Sequence, residues 1–280
     1  MEQQDLIREI IGEMDQKELV QRIVSEVMGK LAGQGQASKA GQSAAAAGSA
    51  AAPAGALGAA QLAKYLDHTM LRPEAPLEAF DKLCAEALQY GFFSVCVNSC
   101  RVAYVARKLR GTGVKVCSVI GFPLGAMSSR AKAFEGHGAL EDGASELDMV
   151  LNIGALKSRD LKYVEEDIRA VRRASHGTTL LKVIIETALL SQEEKVLACE
   201  LAKKAGADFV KTCTGFGGGE ATPEDIALMR RTVGPGMGVK ASGGVRSIEK
   251  AMLLIGAGAT RLGAVAGVAI VTGAVGKSGY

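Results

Sequence analysis

The sequence lacks tryptophan, and aromatic residues of all kinds make up only 4% of its 280 residues. Proteins that hold single-stranded nucleic acids stack the bases on aromatic side chains, so this composition argues against such a role. A basic tract is missing as well, because the formal net charge is +3 and charges of both signs are mixed along the chain. We therefore expect no nucleic acid among the partners of this protein.

Signals for membranes, secretion and metal binding are also missing. No apolar run reaches the length of a membrane span, and the N-terminus is acidic and amphipathic where a secretory signal would be basic and then apolar. The cysteines show no paired metal-ligand spacing. They are Cys84, Cys96, Cys100, Cys117, Cys199 and Cys213. We therefore expect a cytoplasmic protein with free thiols, no metal and no membrane contact.

Residues 1–31 carry two apolar stripes at helical spacing, which predicts an amphipathic helical docking segment. The first stripe contains Leu6, Ile7, Ile10, Ile11 and Met14, and the second contains Leu19, Val20, Ile23, Val24, Val27, Met28 and Leu31. Asp15 and Glu18 fit a capping box at the start of the second helix. Neither helix is long enough to be stable alone, so each needs a surface that covers its apolar stripe.

Residues 32–58 are dominated by Ala, Gly, Ser and Gln, a composition typical of a flexible linker. An amphipathic terminal segment on such a linker resembles the encapsulation peptides that carry enzymes into bacterial microcompartments. That resemblance implies a shell protein as the partner of residues 1–31 and a location inside a microcompartment. The alternative is a helical hairpin that packs on its own domain or mediates oligomers.

Residues 59–280 alternate between β-type apolar runs and helical patterns, and 48% hydrophobic residues suffice for a large core. The predicted strands are Lys64–Thr69, Ser94–Asn98, Lys115–Gly121, Glu146–Asn152, Thr179–Glu186, Asp208–Thr214, Gly238–Ser242 and Arg261–Val265. The predicted helices are Leu77–Tyr90, Cys100–Arg110, Ser129–Asp142, Asp160–Ser175, Ser191–Ala205, Pro223–Arg231 and Ser247–Ile255. This alternation predicts a (β/α)8 TIM barrel. An open doubly wound sheet is less favoured, because no Gly-x-Gly-x-x-Gly follows the first strand.

Two of the predicted strands carry a lysine in the middle and glycines at the end. Lys211 lies in the stretch 209–217, and Lys240 lies in the stretch 238–245. If both strands belong to one barrel, the two ammonium groups could come close inside it. Burial and a like-charged neighbour both lower the pKa of a lysine, and a neutral amine is a nucleophile toward carbonyls. The alternative is that both lysines extend to solvent or pair with carboxylates.

Other polar side chains fall on one alternating face of the predicted strands, where they would point into a barrel. They are Asp67, Thr69, Cys96, Asn98, Asp148, Lys182 and Glu186. Buried charges are costly unless they compensate one another, so we expect the carboxylates and lysines to form one network. For Asp148 and Lys182 the alternative is a structural ion pair without a chemical role.

Glycines follow the last three predicted strands. They are Gly215, Gly217, Gly218 and Gly219 after the sixth strand, Gly243 and Gly244 after the seventh, and Gly263 and Gly267 around the end of the eighth. In many barrels, backbone N–H groups at the ends of strands seven and eight bind phosphate beside a helix N-terminus. The pattern therefore favours a phosphorylated ligand.

Five collinear motifs together resemble the 2-deoxyribose-5-phosphate aldolase family over residues 61–275. They are Leu66-Asp67-His68-Thr69, Leu147-Asp148-Met149-Val150, Leu181-Lys182-Val183-Ile184-Ile185-Glu186-Thr187, Phe209-Val210-Lys211-Thr212-Cys213-Thr214-Gly215 and Val239-Lys240-Ala241-Ser242-Gly243-Gly244-Val245-Arg246. The resemblance implies reversible cleavage of 2-deoxy-D-ribose 5-phosphate to acetaldehyde and D-glyceraldehyde 3-phosphate, without metal or cofactor. It also implies sugar-phosphate and aldehyde partners and a homo-oligomer, either a dimer or a tetramer.

The same resemblance assigns roles to individual residues. Lys211 matches the lysine that forms the Schiff base, Lys240 matches the cation beside it, and Asp148 matches the acid/base group. Lys182 would hold Asp148. The substrate-side positions would be Asp67, Thr69 and Cys96. The phosphate would be held at Gly215, Gly243, Gly244, Gly263, Val265 and Ala266.

The chain departs from the family pattern after the eighth strand. The family usually carries hydroxyl residues there, whereas this chain has Gly263-Ala264-Val265-Ala266-Gly267. Phe216 also stands where some relatives have a lysine. Loss of side-chain donors is expected to weaken phosphate binding or to relax the requirement for phosphate. Two alternatives stay open: another Schiff-base barrel, such as a transaldolase or a ketose-phosphate aldolase, and a catalytically silent cargo or scaffold protein.

Overall fold

The computed structural model describes residues 57–175 and 177–276, and in this part of the chain eight parallel strands close into a barrel in sequence order. The strands are β1 Leu66–Met70, β2 Ser94–Asn98, β3 Lys115–Ile120, β4 Glu146–Val150, β5 Leu180–Ile184, β6 Phe209–Lys211, β7 Gly238–Ser242 and β8 Arg261–Ala264. β1 pairs with β8 and closes the barrel. The (β/α)8 prediction is therefore confirmed. The predictions for residues 1–31 and for most of the linker lie outside the described residues.

Helices surround this barrel and connect consecutive strands. They are α1 Ala59–Ala63, α2 Leu77–Tyr90, α3 Val102–Lys108, α4 Ser129–Glu141, α5 Ile153–Lys157, α6 Leu161–Ala174, α7 Gln192–Lys204, α8 Pro223–Val233, α9 Ile248–Gly256 and α10 Gly267–Thr272. Short 3-10 segments cover Ser99–Arg101 and Thr187–Leu189. The sequence did not predict the short helices α1, α5 and α10, and the predicted strands are up to four residues longer than the observed ones. No helix in the described ranges is long and apolar enough to cross a membrane.

The alternation of the strands separates an apolar layer from a charged interior. On β4, Leu147 and Met149 are fully buried, and they alternate with the buried carboxylates Glu146 and Asp148. Successive side chains of a strand point to opposite faces, so the apolar side chains face the helices while the carboxylates face the barrel axis. The main core thus lies between strands and helices, and the axis of the barrel is left for polar groups.

Candidate active site

Seven charged side chains from six strands converge inside the barrel, and none is more than 5% exposed. They are Asp67 on β1, Glu146 and Asp148 on β4, Lys182 on β5, Lys211 on β6, Lys240 on β7 and Arg261 on β8. Isolated charges would not be stable at this depth, so their mutual contacts decide whether the interior can exist. The expected network is present for Asp67, Asp148, Lys182, Lys211 and Lys240, and it also includes Glu146 and Arg261. Glu186 lies outside it, beyond the end of β5, and binds Thr214 instead.

Lys211 and Lys240 lie side by side on neighbouring strands. Their Cα atoms are register partners between β6 and β7. Each Nζ lies 2.8 Å from the same oxygen, Oδ2 of Asp148. The two nitrogens can therefore be no further apart than twice that distance, which places the two amines together as the sequence suggested.

The other oxygen of Asp148 is held by a third lysine and a thiol. Oδ1 accepts a hydrogen bond from Lys182 Nζ at 2.8 Å and one from Cys117 Sγ at 3.2 Å. Burial alone would raise the pKa of Asp148, but Lys182, Lys211 and Lys240 outweigh it and hold that pKa well below its usual range. Asp148 is therefore a carboxylate at neutral pH, and it accepts protons or hydrogen bonds rather than donating them.

Lys182 and Lys240 are cations, because neighbouring opposite charges outweigh the effect of burial on them as well. Lys182 Nζ also contacts Glu146 Oε2 at 2.6 Å, and Lys240 also contacts Asp67. Burial would lower the pKa of either lysine, but Asp148 and a second carboxylate raise it above the usual value in both cases. Lys182 thus fixes Asp148 from one side while Lys240 keeps a positive charge beside Lys211.

Arg261 closes the network at the amino-terminal end of the barrel. Its Nη1 donates to Asp67 Oδ1 at 2.9 Å and to Glu146 Oε2 at 3.2 Å. Its guanidinium stacks 3.5 Å above the ring of Phe93 and 5.5 Å from that of Phe209. The sequence analysis did not identify Arg261 and Glu146. Glu146 lies two residues before Asp148 on β4, and Arg261 lies two residues before Gly263 on β8, so each shares a strand face with a residue that the sequence did identify.

A cavity of about 190 Å³ opens above this network, and among the residues that line it Lys211 is the only lysine. Five of the six residues expected to hold phosphate line it: Gly215, Gly243, Gly244, Gly263 and Val265. Ala266 instead lines a neighbouring cavity of about 290 Å³ beside His68. Gly218 and Gly219, two of the glycines expected after the sixth strand, also line the cavity, together with Thr69 and Ala264. The sequence analysis assigned no site role to the remaining lining residues, which are Glu220, Ser242, Val245 and Arg246.

The three expected substrate-side residues lie at different depths. Thr69 lines the cavity, whereas Asp67 lies below it, bonded to Ser94 at 2.7 Å and to Arg261. Cys96 is fully buried, and its Cα is the register partner of Cys117. Hydrogen bonding from Cys117 lowers the pKa of Cys96, against the effect of burial. All six cysteines are free.

Cys96, Cys117 and Asp148 place three potential metal-ligand atoms within 4.8 Å of one another. The surrounding groups do not suit a cation, however. Both oxygens of Asp148 already accept lysine hydrogen bonds, so a metal ion would face three ammonium groups. These side chains therefore suit a reaction at a lysine amine better than they suit a metal site.

A buried amine at the floor of a barrel cavity, next to a second amine and a carboxylate, defines a class of protein: barrel enzymes that can condense a lysine with a carbonyl compound. Comparison with known proteins narrows this class. Residues 53–273 match the family described as DeoC/LacD family aldolase. The chain belongs to this family of aldolases.

Individual relatives agree with this assignment. The chain is 62% identical over 220 residues to a deoxyribose-phosphate aldolase of Clostridium perfringens, a match that covers 79% of this chain and 98% of the relative. It is 59% identical to the deoxyribose-phosphate aldolase of Enterococcus faecalis, over 79% of this chain and all of the relative. The structure of a deoxyribose phosphate aldolase from Aeropyrum pernix superposes with a TM-score of 0.72 at 35% identity, over 76% of this chain and 91% of that one.

Proposed function

We propose that the protein is a deoxyribose-phosphate aldolase that reversibly cleaves 2-deoxy-D-ribose 5-phosphate to acetaldehyde and D-glyceraldehyde 3-phosphate. The observation that carries the mechanism is the position of Lys211. Among the four cations inside the barrel it alone lines the cavity, and within the described residues its Nζ contacts a single carboxylate, that of Asp148. An amine that lines the cavity can reach an aldehyde bound there. Lys211 also has fewer carboxylate contacts than the other three interior cations.

The balance of charge supports Lys211 as the nucleophile. The described interior holds four cations and three carboxylates. Lys182, Lys240 and Arg261 each contact two carboxylates, whereas Lys211 shares one oxygen of Asp148 with Lys240. Lys211 therefore has fewer carboxylate contacts than any other cation of this interior, and it is the one that faces the cavity.

The neutral amine of Lys211 adds to C1 of the open-chain sugar, and the adduct takes up one proton from solvent and loses water to give a protonated imine. The C3 hydroxyl then loses its proton, the C2–C3 bond breaks, and its electron pair moves into an enamine attached to Lys211. D-Glyceraldehyde 3-phosphate leaves with the new C3 carbonyl. Protonation of the enamine carbon and hydrolysis release acetaldehyde and restore the amine.

Asp148 is placed to handle the protons in these steps. It is ionised and lies 2.8 Å from Lys211 Nζ, so it can accept a proton, through a water molecule, from the hydroxyl that becomes a carbonyl. Lys182 holds the carboxylate in this orientation and Lys240 supplies the permanent charge. The backbone at Gly215, Gly243, Gly244, Gly263 and Val265, together with Arg246, surrounds the space available to the phosphate.

The test is a coupled assay with 2-deoxyribose 5-phosphate, run beside free 2-deoxyribose. The unmodified protein should release both aldehydes, and Lys211→Ala should abolish turnover. Borohydride added with substrate should leave a covalent adduct on Lys211 and an inactive enzyme. Full activity after that treatment, or an adduct elsewhere, would overturn the mechanism. A preference for dihydroxyacetone over acetaldehyde as the aldol donor would indicate a different Schiff-base aldolase.

We also propose that the protein is a cytoplasmic homo-oligomer that residues 1–31 direct to the shell of a bacterial microcompartment. The relative from Aeropyrum pernix is described as a tetramer. The proposal for residues 1–31 rests on their two apolar stripes and on the linker that follows. Deletion of residues 1–58 should leave kcat unchanged and abolish co-localisation with shell protein. Loss of activity instead would mean that the extension belongs to the catalytic domain.

A further inference from the structure

Two oppositely charged side chains stand at the end of the cavity where the phosphate is expected. Among the residues that line the cavity, Lys211, Glu220 and Arg246 are the charged ones. Lys211 lies at the floor, while Glu220 and Arg246 form an ion pair of 3.6 Å at the glycine-rich end. Their side chains are 52% and 47% exposed, so both are open to solvent and to a ligand.

The carboxylate of Glu220 lies against the backbone that would receive the phosphate. Gly243 and Gly244 have φ of +94° and +72°, a conformation that favours glycine. A Cβ at Gly244 would lie 2.6 Å from Oε2 of Glu220, so the carboxylate fills the place that a side chain there would take. The N–H of Ala221 donates to the carbonyl of Gly243 at 2.9 Å, and this bond fixes the segment of Glu220 beside that glycine.

This arrangement gives the expected phosphate end almost no net charge. Arg246 is the only cation that the lining offers there, and Glu220 occupies one of its guanidinium nitrogens. Nearby, Val265 provides no side-chain donor, and Phe216 packs its ring edge-on against Phe122 at 5.3 Å. A phosphate dianion bound at this end therefore lies close to a carboxylate as well as to Arg246, and it must compete with that carboxylate for the guanidinium.

We propose that Glu220 is a specificity-determining residue: it competes with the substrate phosphate for Arg246 and for the Gly243–Gly244 backbone, and so narrows the preference for phosphorylated over unphosphorylated substrates. This inference rests on the proposed function for its choice of substrates. Exposed ion pairs are weak, so a phosphate can displace Glu220, but each binding event must break the pair and tolerate the nearby negative charge.

The test compares Glu220→Gln, which keeps the shape and removes the charge, with Glu224→Gln, which removes the same charge from an exposed position on α8 outside the cavity lining. In Glu220→Gln, KM for 2-deoxyribose 5-phosphate should fall about two- to fivefold, the range typical of exposed ion pairs. KM for free 2-deoxyribose should stay unchanged. Glu224→Gln should alter neither value.

Arg246 provides the second comparison. If Glu220 acts by occupying Arg246, then Glu220→Gln should lower KM for the phosphorylated sugar much less in an Arg246→Gln background than in the unmodified protein. An unchanged KM in Glu220→Gln, or a rise for both sugars together, would overturn the proposal. The latter result would mean that Glu220 binds a part of the sugar common to both substrates.

Titration with inorganic phosphate separates this inference from the proposed function. Calorimetry should show tighter phosphate binding by Glu220→Gln than by the unmodified protein, and the difference should shrink as ionic strength rises. Equal affinity at low salt would refute the role of Glu220. If the unmodified protein cleaved neither sugar, the proposed function would fail, and the phosphate titration would still decide what Glu220 does.

Discussion

At the scale of single residues, Asp148 is the centre of the interior network. Its two oxygens accept hydrogen bonds from three lysines and one thiol. No other carboxylate in the described part of the chain contacts Lys211. Asp148 therefore balances the positive charges of the lysines and also lies next to the Lys211 amine. One side chain thus combines a structural role with a chemical one.

Asp148→Asn is expected to lower kcat at least about 100-fold, because it removes the group placed to accept the proton. It should also destabilise the fold by about 3–5 kcal/mol, since Lys182, Lys211 and Lys240 would lose a carboxylate partner while they remain buried. Turnover of 2-deoxyribose 5-phosphate and urea unfolding at pH 7 measure the two effects.

Asp142→Asn is a matched control, since Asp142 is exposed at the end of α4 and lies outside the network. It should change neither quantity. If Asp148→Asn retained most of its kcat, the carboxylate would be only structural and another group would have to move the proton.

The sequence could identify part of this network because a charge in the middle of an apolar strand is conspicuous. Lys182, Lys240 and Asp148 have apolar neighbours on both sides, and Lys211 follows the apolar pair Phe209 and Val210. Glu146 and Arg261 begin their strands, where a charged residue usually marks the surface. Glu220 lies in a loop, and only the folded chain shows that it meets Arg246.

At the scale of elements, the loop after β6 is held to the end of β5 by one buried carboxylate. Glu186 has φ of 55°, unusual for a residue with a side chain, and is 2% exposed. Its carboxylate accepts hydrogen bonds from the N–H and the hydroxyl of Thr214, and the Thr214 hydroxyl in turn accepts the N–H of Phe216 at 3.1 Å. This chain of bonds sets the path of the loop that leads from Lys211 to Gly218 and Gly219.

The hydrogen bonds between Glu186 and Thr214 form what we call the Glu186 clamp. Breaking them should lower activity although neither side chain takes part in the reaction. Glu186→Gln and Thr214→Val are each expected to lower kcat/KM about tenfold, because the loop would no longer hold the cavity wall in place. The double variant should be no worse than the poorer single variant, since both changes break the same connection. Steady-state kinetics on the three variants tests this.

The exposed Glu141 on α4 offers a control in Glu141→Gln, for which unchanged kinetics are expected. Fully additive losses in the double variant would show that Glu186 and Thr214 act separately, and the clamp would then have no role.

Element positions followed from the sequence where local signals were strong. Ser128, Asp160, Ser191, Thr222 and Ser247 cap α4, α6, α7, α8 and α9 through their side chains. Such residues ahead of an amphipathic pattern mark a helix start. The ends of the strands were harder to predict. β6 ends at Lys211, just before the segment that Glu186 holds through Thr214, and this contact joins residues that are far apart in the sequence.

At the scale of the whole molecule, closure of the sheet creates an interior that depends on ionisation. A closed barrel leaves no edge strands, and its axis is filled by side chains. Here much of that filling is charged, and Asp67 links β1 to β7 and β8 through Lys240 and Arg261. Burial would raise the pKa of Asp67, but these two cations lower it below the usual value. Stability of the barrel is thereby linked to pH.

The signs of the pKa shifts predict a broad plateau of stability. For Asp67 and Asp148 the folded pKa is below the unfolded value of about 3.9, so their contribution is fully present above that pH and is lost as the pH falls toward the folded values. For Lys182 and Lys240 the folded pKa is raised, so their contribution is present below about pH 10.4 and lost above it. Urea unfolding from pH 3 to pH 11 should show both limits.

The variant Asp67→Asn tests whether carboxylates of the barrel interior cause the loss of stability at acid pH. The variant should be less stable at neutral pH, because Lys240 and Arg261 each lose a carboxylate, yet its free energy of unfolding should fall less steeply between pH 4 and pH 3. The slope depends on how many more protons the unfolded chain binds than the folded one, and the variant has one fewer depressed carboxylate. An unchanged slope would mean that surface groups govern acid unfolding and that the interior charges contribute little to its pH dependence.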